Sequence, residues 1–208
     1  MTSVSKDGAS RGFSTVELMV VVGLILIISA MAILSYLPAL QDARFDSAMR
    51  EVIEQLRQGR EYSIANRRYV QVTFPIVPTA SGTQYRIVLT QRNDLTPGAG
   101  AVNPVLSTVP IQFPAQYAVL MGVDTPDNFA GTPPPGSIVF EGIVNGPVGG
   151  ILFQSDGEVV DGATFQPING AIFIGQPGKN TSSRAITVLG GTGRIRGWKG
   201  DGASWTQF

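Results

Sequence analysis

The chain has no cysteine and no histidine. Without cysteine there is no disulfide framework, no thiol nucleophile and no thiolate-ligated metal, so the fold must hold without staples. Without histidine there is no imidazole-ligated zinc and no Ser-His-Asp triad. No pair of carboxylates is placed for acid–base work either, so the sequence reads as non-enzymatic and without a cofactor. Charged residues are sparse at 14%, and the 15 Lys+Arg balance the 15 Asp+Glu, so bulk charge points to no polyanionic partner. Locally the charges separate. From Asn93 to Gly178 there is neither lysine nor arginine, while Asp94, Asp124, Asp127, Glu141, Asp156, Glu158 and Asp161 all fall there. From Lys179 onward the sign reverses, with Lys179, Arg184, Arg194, Arg196 and Lys199 against Asp201 alone. An acidic body therefore precedes a basic tail.

One long hydrophobic run is present. Leu18 to Leu34 is interrupted only by Gly23 and Ser29, and the apolar stretch reaches Leu37. That is about the ~20 residues needed to span ~30 Å of hydrocarbon. Lys6 and Arg11 precede it, which by the positive-inside rule puts the start of the chain in the cytoplasm and the rest outside. A secretory signal would have a shorter core and a cleavage site after it. A plain anchor would explain the run but not Glu17, a carboxylate at the mouth of the segment. An ionisable group at that depth is costly and needs a partner.

Helical periodicity continues beyond the run. Phe45, Met49, Val52 and Leu56 make one apolar stripe. Asp46 with Arg50, and Glu54 with Arg57, are spaced as same-face ion pairs. Pro38 divides the two halves of a helix expected from Phe13 to about Arg68, ~80 Å long at 1.5 Å per residue. After Arg68 the period changes to two. Tyr69–Phe74 and Gln84–Thr90 read as strands joined by Pro75–Gly82. Asp94–Asn103 and Gly131–Gly136 read as loops. Further strands are expected at Val109–Phe113, Ala118–Met121, Ser137–Glu141, Ile151–Gln154, Ala171–Ile174, Ala185–Val188 and Gly193–Trp198. The implied fold class is α+β, a long N-terminal helix with a transmembrane lower half and an upper half packed on antiparallel β-sheet. The expected organisation is a leader at 1–12, a transmembrane half-helix at 13–38, an amphipathic half at 39–68 and an extracytoplasmic β-rich domain at 69–208.

The segment Arg11-Gly12-Phe13-Ser14-Thr15-Val16-Glu17 resembles the class III leader of type IV pilins and pseudopilins. The resemblance implies a pilin-like fold and cleavage by a prepilin peptidase between Gly12 and Phe13, with methylation of the new amino group. It implies assembly through pairing of Glu17 with the Phe13 amine of a neighbouring subunit. Leu56–Arg68 followed by Val70-Gln71-Val72 looks like the helix-to-strand junction of the GspH/FimT group of minor pilins. Phe153 with Asp156-Gly157, then Ala171–Ile174, Arg184–Val188 and Gly193-Arg194-Ile195-Arg196, resembles the end of that group in the same order. The function so implied is that of a minor subunit of a type IV pilus or of a type II secretion pseudopilus, acting in filament initiation or at the tip. The expected location is the bacterial inner membrane, single pass, with the C-terminal domain periplasmic or extracellular. The expected partners are other pilins or pseudopilins.

In one branch of that group Gly-Arg-x-Arg is implicated in DNA binding during uptake, and Gly193–Arg196 matches it. Arg194 and Arg196 would share a strand face ~6–7 Å apart, with Arg184 and Lys199 as further phosphate contacts. The competing reading pairs these arginines with acids of the body. Trp198 and Trp205 are read as packing residues before stacking platforms. Ser155–Asp161 carries three carboxylates but lacks EF-hand spacing, and Asp156-Gly157 is a hairpin signal.

Overall fold

The computed structural model describes residues 14–79, 82–93, 102–111, 127, 139–140, 150–162, 164–176 and 179–208. The expected cleavage junction Gly12-Phe13, the expected strand at Ala118–Met121 and the loop at Gly131–Gly136 lie outside these residues. The architecture is α+β. Among the described residues one α-helix, α1 (Thr15–Asn66), is followed by eleven strands in two antiparallel sheets. The chain divides into two compact units after Leu40.

The first unit is the lower part of α1. The Leu18 amide donates to the Ser14 carbonyl at 3.1 Å and closes the first turn. Glu17 lies in that turn, where a negative charge complements the positive end of the helix dipole. From Val16 to Ile33 the large apolar side chains are exposed, Met19 to 70% and Ile28 to 65%. The helix is long and apolar enough to cross a membrane. Pro38 is accommodated inside it at the cost of one backbone hydrogen bond.

The second unit begins at Gln41 and holds the core. Phe45, Met49, Val52 and Leu56 are all buried, as their spacing requires. The first sheet has strand order β2 (Ile76–Thr79), β3 (Gly82–Arg92), β1 (Tyr69–Thr73), β6 (Ile151–Phe153) and β7 (Val159–Val160). The edge strand β4 (Val105–Ile111) pairs with the other side of β3. The second sheet runs β11 (Trp205–Gln207), β10 (Arg194–Gly200), β9 (Lys179–Leu189), β8 (Gly170–Gln176) and β5 (Val139–Phe140). Val70, Val72, Ile87, Leu89, Ile151 and Phe153 from the first sheet meet Ile172, Ile174, Ile186 and Val188 from the second around the α1 stripe. A smaller cluster of Ala171, Phe173 and Ala185 with Trp198 and Trp205 forms on the opposite face of the second sheet.

Several expectations shift. The Pro75–Gly82 connection contains a short strand, β2, registered Ile76 against Tyr85. The strand expected at Val109–Phe113 begins earlier, at Val105. Asp156-Gly157 does make the turn between β6 and β7, with the Gly157 amide donating to the Gln154 carbonyl at 2.9 Å. Asp46 pairs with Arg184 of β9 rather than with Arg50. The Arg50 guanidinium instead lies over the Phe208 ring, 5.1 Å from its centroid.

Candidate functional site

Two regions carry the residues singled out from the sequence. The first is the start of α1. Glu17 is exposed there, in the first turn of the helix and just ahead of its apolar run.

The second is β10 and its surroundings. Strand alternation puts Arg194, Arg196 and Trp198 on the outer face, opposite Leu189, Thr187 and Ala185 of β9. Ile195 and Gly197 face α1. A Cβ at Gly197 would stand 2.9 Å from Ile53 Cδ1 and 3.3 Å from Met49 Sδ, so β10 approaches the helix closely here and an alanine would press on the tips of those two side chains. Gly193 precedes the strand with φ 60 and lies against the Gly157 carbonyl, where a Cβ would fall within 1.9 Å of that oxygen. Both the backbone angle and the approach require glycine.

The four expected DNA contacts do not form one surface. Arg194 is exposed. Arg196 donates from Nη1 to Asp127 Oδ1 at 2.8 Å, and the pair is largely shielded, its side chains 28% and 16% exposed. Asp127 also accepts from the Thr187 hydroxyl at 2.8 Å, and that hydroxyl accepts from the Trp198 indole N–H at 2.9 Å. Arg184 is fully buried and its Nε donates to Asp46 Oδ1 at 2.5 Å. It faces the helix, so it presents no donor to a phosphate, and its expected place among the DNA contacts is corrected. Lys199 is exposed but belongs to the helix-facing side of β10, opposite Arg184 in register. Arginine–acid pairing thus accounts for two of the four.

Two hollows flank Arg194. One, about 180 Å³, is lined by Asp127, Thr187, Leu189, Arg194 and Arg196. Arg196 Nε is buried there without a protein partner. The other, about 110 Å³, is lined by Arg57, Arg60, Glu61, Gly193, Arg194 and Ile195. In the sequence Arg57 read only as the partner of Glu54, Asp127 only as one acid of the body, and Arg60 carried no signal of its own. Arg57 and Arg60 are ordinary polar positions of an amphipathic helix, and Asp127 is one of seven acids in a stretch without periodicity.

The acidic loop is occupied by its own turns. Asp156 accepts from the Glu158 amide at 3.0 Å and from Gln154 Nε2 at 3.3 Å. Asp161 accepts from the Thr164 amide and hydroxyl at 3.2 and 2.8 Å. Among the described residues no three carboxylates gather into a metal-binding group. In the β10–β11 turn, Asp201 is held below the ordinary carboxylate range by the Ala203 and Ser204 amides and the Ser204 hydroxyl. Comparison of the chain with family models, with curated proteins and with solved structures returns no match.

Proposed function

We propose that this chain is a minor structural subunit of a bacterial filament, either a type IV pilus or a type II secretion pseudopilus. It is anchored in the inner membrane by α1, with the C-terminal part outside the cytoplasm. The observation that carries the reading is Glu17, an exposed carboxylate at the entrance of an uncovered apolar helix. In hydrocarbon this charge is tolerable only beside a cation. The amine created by cleavage between Gly12 and Phe13 on a neighbouring subunit supplies one. Neither group is stable alone in an apolar bundle, so their pairing selects the assembled state. Loss of one partner from such a pair costs ~3–5 kcal/mol. The long N-terminal helix packed on antiparallel sheet is compatible with the pilin-like fold, and the leader Arg11-Gly12-Phe13 supports the same reading.

The test has two arms. Mass spectrometry of the protein from its native membranes is expected to show a chain beginning at Phe13 with a methylated amine. Glu17→Ala is expected to leave the protein in the membrane and to lower its entry into filaments at least tenfold. A chain that keeps residues 1–12, or a Glu17→Ala variant that assembles normally, overturns the assignment.

A subordinate reading gives the subunit contact with DNA through Arg194 and Arg196. The exposure of Arg194 favours it, while Arg196 would have to exchange its bond to Asp127 for a phosphate. Gel-shift binding that survives Arg194→Ala with Arg196→Ala would exclude it.

A further inference from the structure

Arg60 is fixed by two carbonyls. Its Nε donates to the Gly157 oxygen at 3.3 Å and its Nη2 to the Thr192 oxygen at 3.0 Å. Carbonyls orient a guanidinium but bring no negative charge to cancel its own. Arg57 and Arg194 stand beside it, both exposed, and neither enters an ion pair among the described residues. All three line the cleft of about 110 Å³ between α1 and β10, where Glu61 is the one acid. A cleft of this size admits one carboxylate group together with water. Three cations against one exposed acid repel each other when the cleft holds only water, and an anion relieves that repulsion.

The arrangement also says which anion. A nucleic-acid strand needs cations spaced along a groove. Here the neighbouring cations do not extend the cleft. Arg184 is buried, Arg196 is tied to Asp127, and Lys199 stands five residues further along β10 and does not line the cleft. Arg57, Arg60 and Arg194 line one small cleft instead, and guanidinium forks match a single carboxylate bidentately.

We propose that this cleft is a socket for an aspartate or glutamate side chain presented by a neighbouring protein subunit. The proposal rests on the filament reading, since a filament joins its subunits through heterologous contacts. Its chemical complement is a segment with the composition of Asn93 to Gly178, which has acids and neither lysine nor arginine.

The full chain in zwitterionic detergent micelles, with 15N-labelled arginine, provides the test. N-acetyl-glutamate N-methylamide is titrated at constant ionic strength. The Nε–Hε signals of Arg57, Arg60 and Arg194 are expected to move together and saturate. Arg57→Ala with Arg194→Ala is expected to weaken binding about tenfold or more, the loss of at least one charge-assisted contact. Both side chains are exposed and carry no bond of the fold, so the Trp198 indole signal stays in place and reports an intact sheet. Failure to saturate, or unchanged affinity in the double variant, overturns the socket. So does a twelve-nucleotide single-stranded DNA that saturates the same signals at lower concentration while also moving Arg196. The titration uses single chains, so its failure leaves the Glu17 and processing results standing. Equally, a dispensable Glu17 would end the filament reading without touching the binding curve.

Discussion

A guanidinium stays charged even when fully buried, so Arg184 is tolerable at 0% exposure only because Asp46 stands against it. The two residues are 138 positions apart, and their bond ties β9 to α1. Removing one partner leaves a charge without compensation, whereas replacing both with apolar groups of similar size is often neutral. Asp46→Asn is therefore expected to destabilise the folded unit by ~3–5 kcal/mol. Asp46→Leu with Arg184→Met should recover most of that loss. Urea unfolding of both variants measures the difference. Equal destabilisation by the single and double changes would mean that packing, not charge, holds this contact. The same logic applies to Arg196 and Asp127 with less force, because that pair keeps some solvent.

At the scale of elements, how closely two segments approach is set by what lines the gap. The short 3-10 turn Gly190–Thr192 follows β9, and a Cβ at Gly190 would lie 2.5 to 2.7 Å from the backbone of Ile168. At Gly197 the nearest obstacles are the flexible tips of Ile53 and Met49. Gly190→Ala must move backbone, while Gly197→Ala only rotates side chains. Overpacking typically costs ~1–3 kcal/mol, and Gly190→Ala is expected at the top of that range and Gly197→Ala at or below its bottom. Thermal unfolding of the two variants decides, and the reverse order would refute the packing described for β10. The contrast also explains what was legible in the sequence. The α1 stripe was readable because four large apolar residues repeat at helical spacing, and β1, β3, β6 and β8 to β10 because β-branched residues mark them. Strands β7 and β11 are two and three residues long, too short to show a period. Strand β2 hides behind Pro78, which its edge position tolerates. Pairing of tail arginines with acids of the body was legible, and Arg196 with Asp127 is one such pair, but the individual partners were not. Spacing along a helix suggested Asp46 with Arg50, and tertiary packing outbid that weak surface pair with a buried one.

For the whole molecule, the decisive fact is that the core closes without the apolar run. Every buried hydrophobic residue of the main cluster, from Phe45 to Val188, belongs to the unit that starts at Gln41. The side chains from Val16 to Ile33 contribute nothing to it and are exposed. Hydrophobic stabilisation follows apolar area removed from water, so the lower half of α1 adds none while it is exposed. A fragment of residues 41–208 is therefore expected to fold alone, to stay soluble without detergent and to unfold in one cooperative transition. Its melting temperature should lie within a few degrees of that of the full chain in micelles, because the same contacts break in both. The full chain without detergent should aggregate through its uncovered apolar surface. Circular dichroism melts and light scattering on the two chains check this. A fragment that is unfolded, or that melts far below the full chain, would mean that the first forty residues support the core directly, and the division of labour between an exposed apolar helix and a self-sufficient second unit would fail.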